Sequence, residues 1–282
     1  MGNLLRMDTY RIFRSKTFFV CLILAFALAV ASAPVDKLLS SLGQMFATEV
    51  TETAKTSDEF SDEDVLALET AKDAIRFRTE EKLSNLIKNP FTFLATLLML
   101  ISVCSFYYAD AEGGYIKNIA GQMPMKGFTI LSKFLASVSH NFIFMALCVV
   151  GNIIGTLTVR HFVPDDAILS SIGIFFLKLL LIQSICALLV LFVSTMQNKS
   201  LGIVMAVLFG LGFVMPLIYE LIDVQLINRL FKDAGAVFAK YMPDVLLGET
   251  SPDPVTAILV SVIFGGFFLL LAIRAFDRKD VK

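Results

Sequence analysis

A stripe of polar residues runs through an otherwise apolar stretch of this chain, and it is the first place to look for chemistry. Lys133, Ser137, His140, Asn141, Cys148 and Asn152 recur at spacings of three, four, seven or eight within the run 129–157, so a helix there gathers them on one face. Groups of this kind avoid lipid. Either they line a path for a polar or amphipathic substrate, or they hydrogen-bond between packed helices; Lys133 can also reach an interface by snorkelling. Ser137, His140, Asn141 and Asn152, with Gln183 in the next apolar run, are the candidate pathway residues. Other chemistries lack their parts. His140 and His161 are too far apart in sequence to read as a metal site, and HExxH, GxSxG and GxxxxGK[ST] are all absent, which excludes zinc-protease, serine-hydrolase and P-loop designs. No catalytic residue and no metal ligand is assigned, so the expectation is a non-enzyme that binds no cofactor itself. The basic residues line the ends of apolar runs without interleaved aromatics, so nucleic acid is not an expected partner.

The elements that carry these residues follow from composition. Of 282 residues, 56% are hydrophobic and the mean hydropathy is +0.75, beyond what a soluble domain shows. A bilayer core of about 30 Å takes roughly 20 apolar residues in a helix, and six runs qualify: 17–33, 91–109, 129–157, 168–195, 201–219 and 255–276. Open sheets do not survive in lipid and barrel alternation is missing. The expected fold is therefore an all-α integral membrane protein, a single unit over 1–282. Cys21, Cys104, Cys148 and Cys186 fall in four different runs and read as small buried hydrophobes. Trp is absent, which leaves Tyr10, Tyr107, Tyr108, Tyr219 and Tyr241 as interfacial belt residues.

Between the runs, residues 1–16 alternate Arg6, Arg11, Arg14 and Lys16 with Leu4, Leu5, Ile12 and Phe13, which suits an elbow helix lying on the membrane surface. Ala31-Ser32-Ala33 mimics a signal-peptidase site, but an N-terminal region with an apolar face fits a retained helix better. Residues 34–90 are expected to leave the membrane at Pro34 as an acidic, helical extracellular loop, with a capping box at Ser61–Asp64 and a helix to about Lys88. Lys178 interrupts the fourth run, which predicts a surface segment over Asp166–Leu177 and a shorter span from Leu179 to Met196. A bend is expected at Pro216, interfacial helices over 220–254, and Gly151-xxx-Gly155 permits a close helix contact. Lys and Arg divide equally between the two sides, but are packed into shorter segments on the side holding both termini, which places that side in the cytoplasm.

The segment from Asp110 to Lys133, DAEGGYIKNIAGQMPMKGFTILSK, is too polar for lipid and is broken by Pro124 and Gly127, so it forms a cytoplasmic loop (110–128) holding one short helix. Glu112, Gly113, Gly114, Tyr115, Ile116, Lys117 and Asn118, followed by Pro124, Lys126 and Ser132-Lys133 at the mouth of a helix, resemble the first cytoplasmic loop of ABC-2 type transporter permeases. The wider layout, from elbow helix through six spans to a charged tail at Arg274–Lys282, is similar as well. Gly114-Tyr115 departs from that pattern, which commonly has a small hydroxyl residue after the glycine, and Lys126 stands where Arg is common. The resemblance implies the membrane subunit of an ATP-driven exporter in a bacterial plasma membrane, exporting an amphipathic or hydrophobic substrate such as an antimicrobial peptide. It also implies a second permease copy or paralogue, and a separate ATPase subunit that holds ATP and Mg and docks on Glu112–Asn118. The alternative class is a membrane-embedded sensor or assembly subunit without transport.

Overall fold

The structure, a computed structural model, describes residues 2–56, 66–67, 70, 79–90, 93–112, 127–196, 199–212, 214–227 and 237–278. In chain order the elements are α1 (Gly2–Ile12), α2 (Lys16–Thr56), β1 (Glu80–Lys82), α3 (Leu83–Lys88), α4 (Phe93–Glu112), α5 (Gly127–Leu157), β2 (His161–Val163) and α6 (Ile168–Met196). They continue as α7 (Lys199–Gly210), α8 (Val214–Ile222) with a π-helical extension Asp223–Ile227, α9 (Phe238–Tyr241), α10 (Pro243–Gly248) and α11 (Pro254–Asp277).

The bundle is built around α6. It packs against α11, α5, α3, α10, α4 and α7, and every residue from 181 to 190 is buried, as expected of a helix that is apolar on all sides. Where two helices must approach closely, the sequence supplies small side chains. Ala257, Ser261 and Gly265 form the buried face of α11, and a Cβ on Gly265 would stand 3.2 Å from Ser184 Cα. Along α2, Phe18, Cys21, Ala25, Ala29 and Ala33 are buried against the glycine pair of α5. A Cβ at Gly151 would meet Ala29 at 2.9 Å, and one at Gly155 would run into the Val30 backbone. The far side of α11, including Val255, Val262, Ile263, Phe267 and Leu270, is exposed, an apolar surface that suits lipid.

Four described helices have the length and apolarity to cross a membrane: α2, α5, α6 and α11. The apolar part of α4, Leu94–Ala109, is shorter, and α7 with α8 forms a pair bent by 84°. At 1.5 Å per residue α7 is about 18 Å long, less than the ~30 Å core of a bilayer. Among the described residues the fold is all-helical apart from two three-residue strands, with several helices fit for a bilayer.

Several expectations are corrected. The first helix does not stop at Pro34: α2 continues through it for 41 residues in all, about 60 Å. Ser61–Asp64 lies outside the described residues, but the helix expected up to Lys88 is interrupted by β1, which pairs in parallel with β2. Asp165 then caps α3 and the start of α6, accepting from the Ser84 amide at 2.8 Å and the Ala167 amide at 2.9 Å. Helix α6 is continuous, without a surface segment before Lys178. The fifth run breaks at Gly210–Gly212, not at Pro216, because Gly212 takes φ 60°, a conformation that costs other residues energy; Pro216 sits within the first turn of α8, where its missing N–H leaves no helical bond unmade.

Helix α1 and the end of α11 meet the start of α5 at one end of the bundle. Ser132 Oγ donates to Asp8 Oδ2 at 2.6 Å, tying α1 to α5, and the Gly127 amide donates to Asp277 Oδ1 at 2.6 Å, tying α5 to the end of α11. Lys133 Nζ donates to the Tyr107 carbonyl at 3.1 Å, adding α4 to the same cluster.

Candidate functional site

Helix α5 buries Lys133, Ser137, His140, Asn141, Cys148 and Asn152 on one face, so the polar stripe points inward. The structure joins Ser137, His140, Asn141 and Gln183 into one network and adds two residues of α4 that the stripe alone does not reveal, Ser102 and Tyr107. Asn152 lies apart: its Nδ2 donates to the Pro90 carbonyl at 3.3 Å, and its Oδ1 accepts from Ser32 at 3.3 Å.

The polarity of the network follows from one backbone group. The Phe134 carbonyl can only accept, so the Gln183 nitrogen facing it at 2.8 Å is a donor. That nitrogen also donates to Ser137 Oγ at 2.9 Å, and Ser137 accepts a second bond from the Tyr107 hydroxyl at 2.8 Å. Gln183 Oε1 therefore faces Asn141, whose Nδ2 donates to it at 3.0 Å. Asn141 Oδ1 is left as the acceptor beside His140 Nδ1 at 2.9 Å, so the imidazole carries its proton on Nδ1. Its Nε2 then accepts from Ser102 Oγ at 3.0 Å. Every step is met by a neutral side chain. Phe18 and Phe144 cover the ring at centroid distances of 5.1 and 5.8 Å, and Asn141 and Ser137 are 0% exposed. Such a network holds three helices in one register, since a slip of any of them leaves buried donors unpaired.

Lys133 does not snorkel; it is 3% exposed and bonded to α4. Tyr107 and Tyr219 are likewise not belt residues, because both are buried and donate inward, Tyr219 to Asp244 Oδ1 at 3.0 Å. Both reach the expected end of a run, but tertiary packing turns the hydroxyl toward protein. The four cysteines are free and buried, as their apolar settings imply. Of the loop residues, Glu112 closes α4, while Gly113, Gly114, Tyr115, Ile116, Lys117 and Asn118 lie outside the described residues. The roots of that loop are described, and they are the cluster of α1, α4, α5 and α11.

A second polar region lies at the break between α7 and α8, where Lys178 and Asp244 line a cavity of about 220 Å³ with Asn89, Thr96 and Gly212. Lys178, expected at an outer interface, is 3% exposed and donates to Asn89 Oδ1 at 3.0 Å. A lone lysine in an apolar run was the available signal; that Asp244 would come to the same cavity was not visible in sequence. Among the described residues, no group of three or more His, Cys, Asp or Glu side chains could hold a metal ion.

No protein-family model matches the chain, and no curated protein matches its sequence. The class rests on the fold: a helical protein with several helices long and apolar enough to cross a membrane, a buried neutral hydrogen-bond network and a broken helix beside a polar cavity.

Proposed function

We propose that this chain is the membrane-spanning permease of an ATP-driven exporter in a bacterial plasma membrane, in which α4 and the bent α7–α8 pair complete six crossings. It acts with a second permease copy or paralogue and a separate ATPase subunit that binds ATP and Mg. Both termini and the 110–128 loop face the cytoplasm.

The observation that carries this reading is the fastening of the loop. Its distal root, Gly127, is hydrogen-bonded to Asp277 of α11, and one turn further Ser132 is bonded to Asp8 of α1. Force applied between Glu112 and Gly127 thus reaches α1, α4, α5 and α11 together. That is what a subunit driven from outside the membrane requires if nucleotide-driven closure is to move helices as bodies. Tyr115 and Ile116 supply the apolar anchor of such a contact, and an apolar bundle with exposed faces on α2 and α11 suits a hydrophobic or amphipathic cargo entering from lipid.

The test is co-purification with the ATPase subunit and substrate-stimulated ATP hydrolysis. Tyr115→Ala is expected to weaken association by about 1–2 kcal/mol, and Gly114→Val to reduce coupling. Wild-type recovery of the complex and wild-type stimulation in both variants would overturn the docking role. An intact complex whose hydrolysis responds to no exported compound would favour a sensor or assembly subunit.

A further inference from the structure

The cavity at the helix break holds two opposite charges that do not meet. Lys178 rises from the middle of α6, Asp244 from the first turn of α10, and both line the same space. Among the described residues they form no ion pair, although the attraction between opposite charges grows as water is removed. Each has a neutral hydrogen-bond partner, Lys178 the Asn89 amide oxygen and Asp244 the Tyr219 hydroxyl, and the acid whose charge acts on Lys178 is Glu249, just past the end of α10. Both tethers leave capacity unused. An ammonium has three protons to donate, and the second carboxylate oxygen, Asp244 Oδ2, is buried without a hydrogen-bond partner. Asp244 as a whole is 9% exposed. Burial holds the carboxyl above its ordinary range, against the Tyr219 bond and the amides of Asp244 and Val245, which favour its charge.

The rest of the cavity is shaped for a guest. Its floor is closed by Phe209 and Thr96, its rim is formed by exposed Asn89, Gly212 and Gly248, and its volume of about 220 Å³ exceeds what one ordered water needs. Helix α7 ends here, and a helix C-terminus presents carbonyls and partial negative charge. The unpartnered Asp244 Oδ2 favours a cationic donor, and the Lys178 ammonium an anionic acceptor.

We propose that this cavity binds a small zwitterionic amino compound of free amino-acid size, its ammonium group on Asp244 Oδ2 and the α7 carbonyl end, its carboxylate on Lys178. A lone cation would be repelled by Lys178 and a lone anion by Asp244, whereas a zwitterion answers both. The site is separate from the α4–α5–α6 network and does not depend on an ATPase partner.

The four buried thiols give a readout, since a thiol-reactive dye labels them as the full-length protein unfolds in detergent. Glycine and serine at millimolar concentration are expected to raise the unfolding temperature saturably, with methylamine and acetate each less effective. Equilibrium dialysis with radiolabelled glycine should give the same affinity. Asp244→Asn, which keeps the shape and the Tyr219 bond, and Lys178→Gln should each weaken glycine binding at least roughly tenfold. The unliganded unfolding temperature of each variant shows whether it is folded. No saturable response to glycine or serine, or an equal response in folded Asp244→Asn, would overturn the proposal and leave a cavity filled by water alone.

Discussion

Two of the polar regions buried in this bundle are finished differently. In the α4–α5–α6 network the chain supplies every partner: Ser102, His140, Asn141, Gln183, Ser137 and Tyr107 satisfy one another without a formal charge. In the cavity at the α7–α8 break, the chain supplies a cation and an anion and keeps them apart, with Asp244 Oδ2 unpartnered. A satisfied neutral network resists change, because any shift exposes an unpaired group in a low-dielectric setting. An unsatisfied charged pair is open to an outside group. The first reads as a lock between helices and the second as a receptor.

The largest expected effect tests the lock. Asn141→Leu removes the partner of both His140 Nδ1 and Gln183 Oε1, and two unpaired buried groups should cost about 2–4 kcal/mol. Thermal unfolding by thiol labelling checks it. A loss under 1 kcal/mol would mean that water already enters the network, and the contrast between the two regions would fail.

A smaller effect belongs to the break. Gly212→Ala places a Cβ at φ 60°, which costs about 1–2 kcal/mol. The strain should be felt at the α7–α8 junction, with amide exchange rising around Gly210 and glycine binding weakened while α5 keeps its protection. Equal loosening of α5 would show that the two regions are one cooperative unit.

The smallest effect is in acid. Asp165 is held below the usual carboxylate range by hydrogen bonds from Ser84 and from the Ala167 amide. Its folded-state value is lowered, so its contribution is present above the ordinary value of about 3.9 and is lost as pH falls through the lowered one. Because Asp165 caps α3 and the start of α6, acidification should release α3, beside the Asn89 wall of the cavity, before it touches the network. The exchange difference between wild type and Asp165→Ala should vanish in that acid range; a difference that persists there would assign the role to packing.

The inward face of α5 was legible because helical periodicity needs only local spacing: Lys133, Ser137, His140, Asn141 and Asn152 fall on one side whatever they pack against. Apolar runs marked α2, α5, α6 and α11 for the same reason, since hydrocarbon tolerates little else. Boundaries that depend on neighbours were not legible. Pro34 reads as a stop, but a proline in a helix is tolerated when its surroundings absorb the lost bond, and α2 runs on to Thr56. Pro216 reads as the bend, but Gly212 makes it, because a left-handed residue turns the chain where a proline in the first turn of a helix does not.

What the sequence determined by itself is the class of material: apolar helices, no GxxxxGK[ST] or GxSxG motif, and a polar stripe that must hide from lipid. Only the tertiary structure decided the partners. Tyr107 and Tyr219 became inward donors in place of belt residues, and Ser102 entered from another helix. Lys178 and Asp244, 66 positions apart in sequence, were brought to one cavity and held short of contact. Periodicity is a property of one helix, whereas the pairing of buried charges and amides depends on which helices meet and in what register, and that is set by packing over the whole bundle.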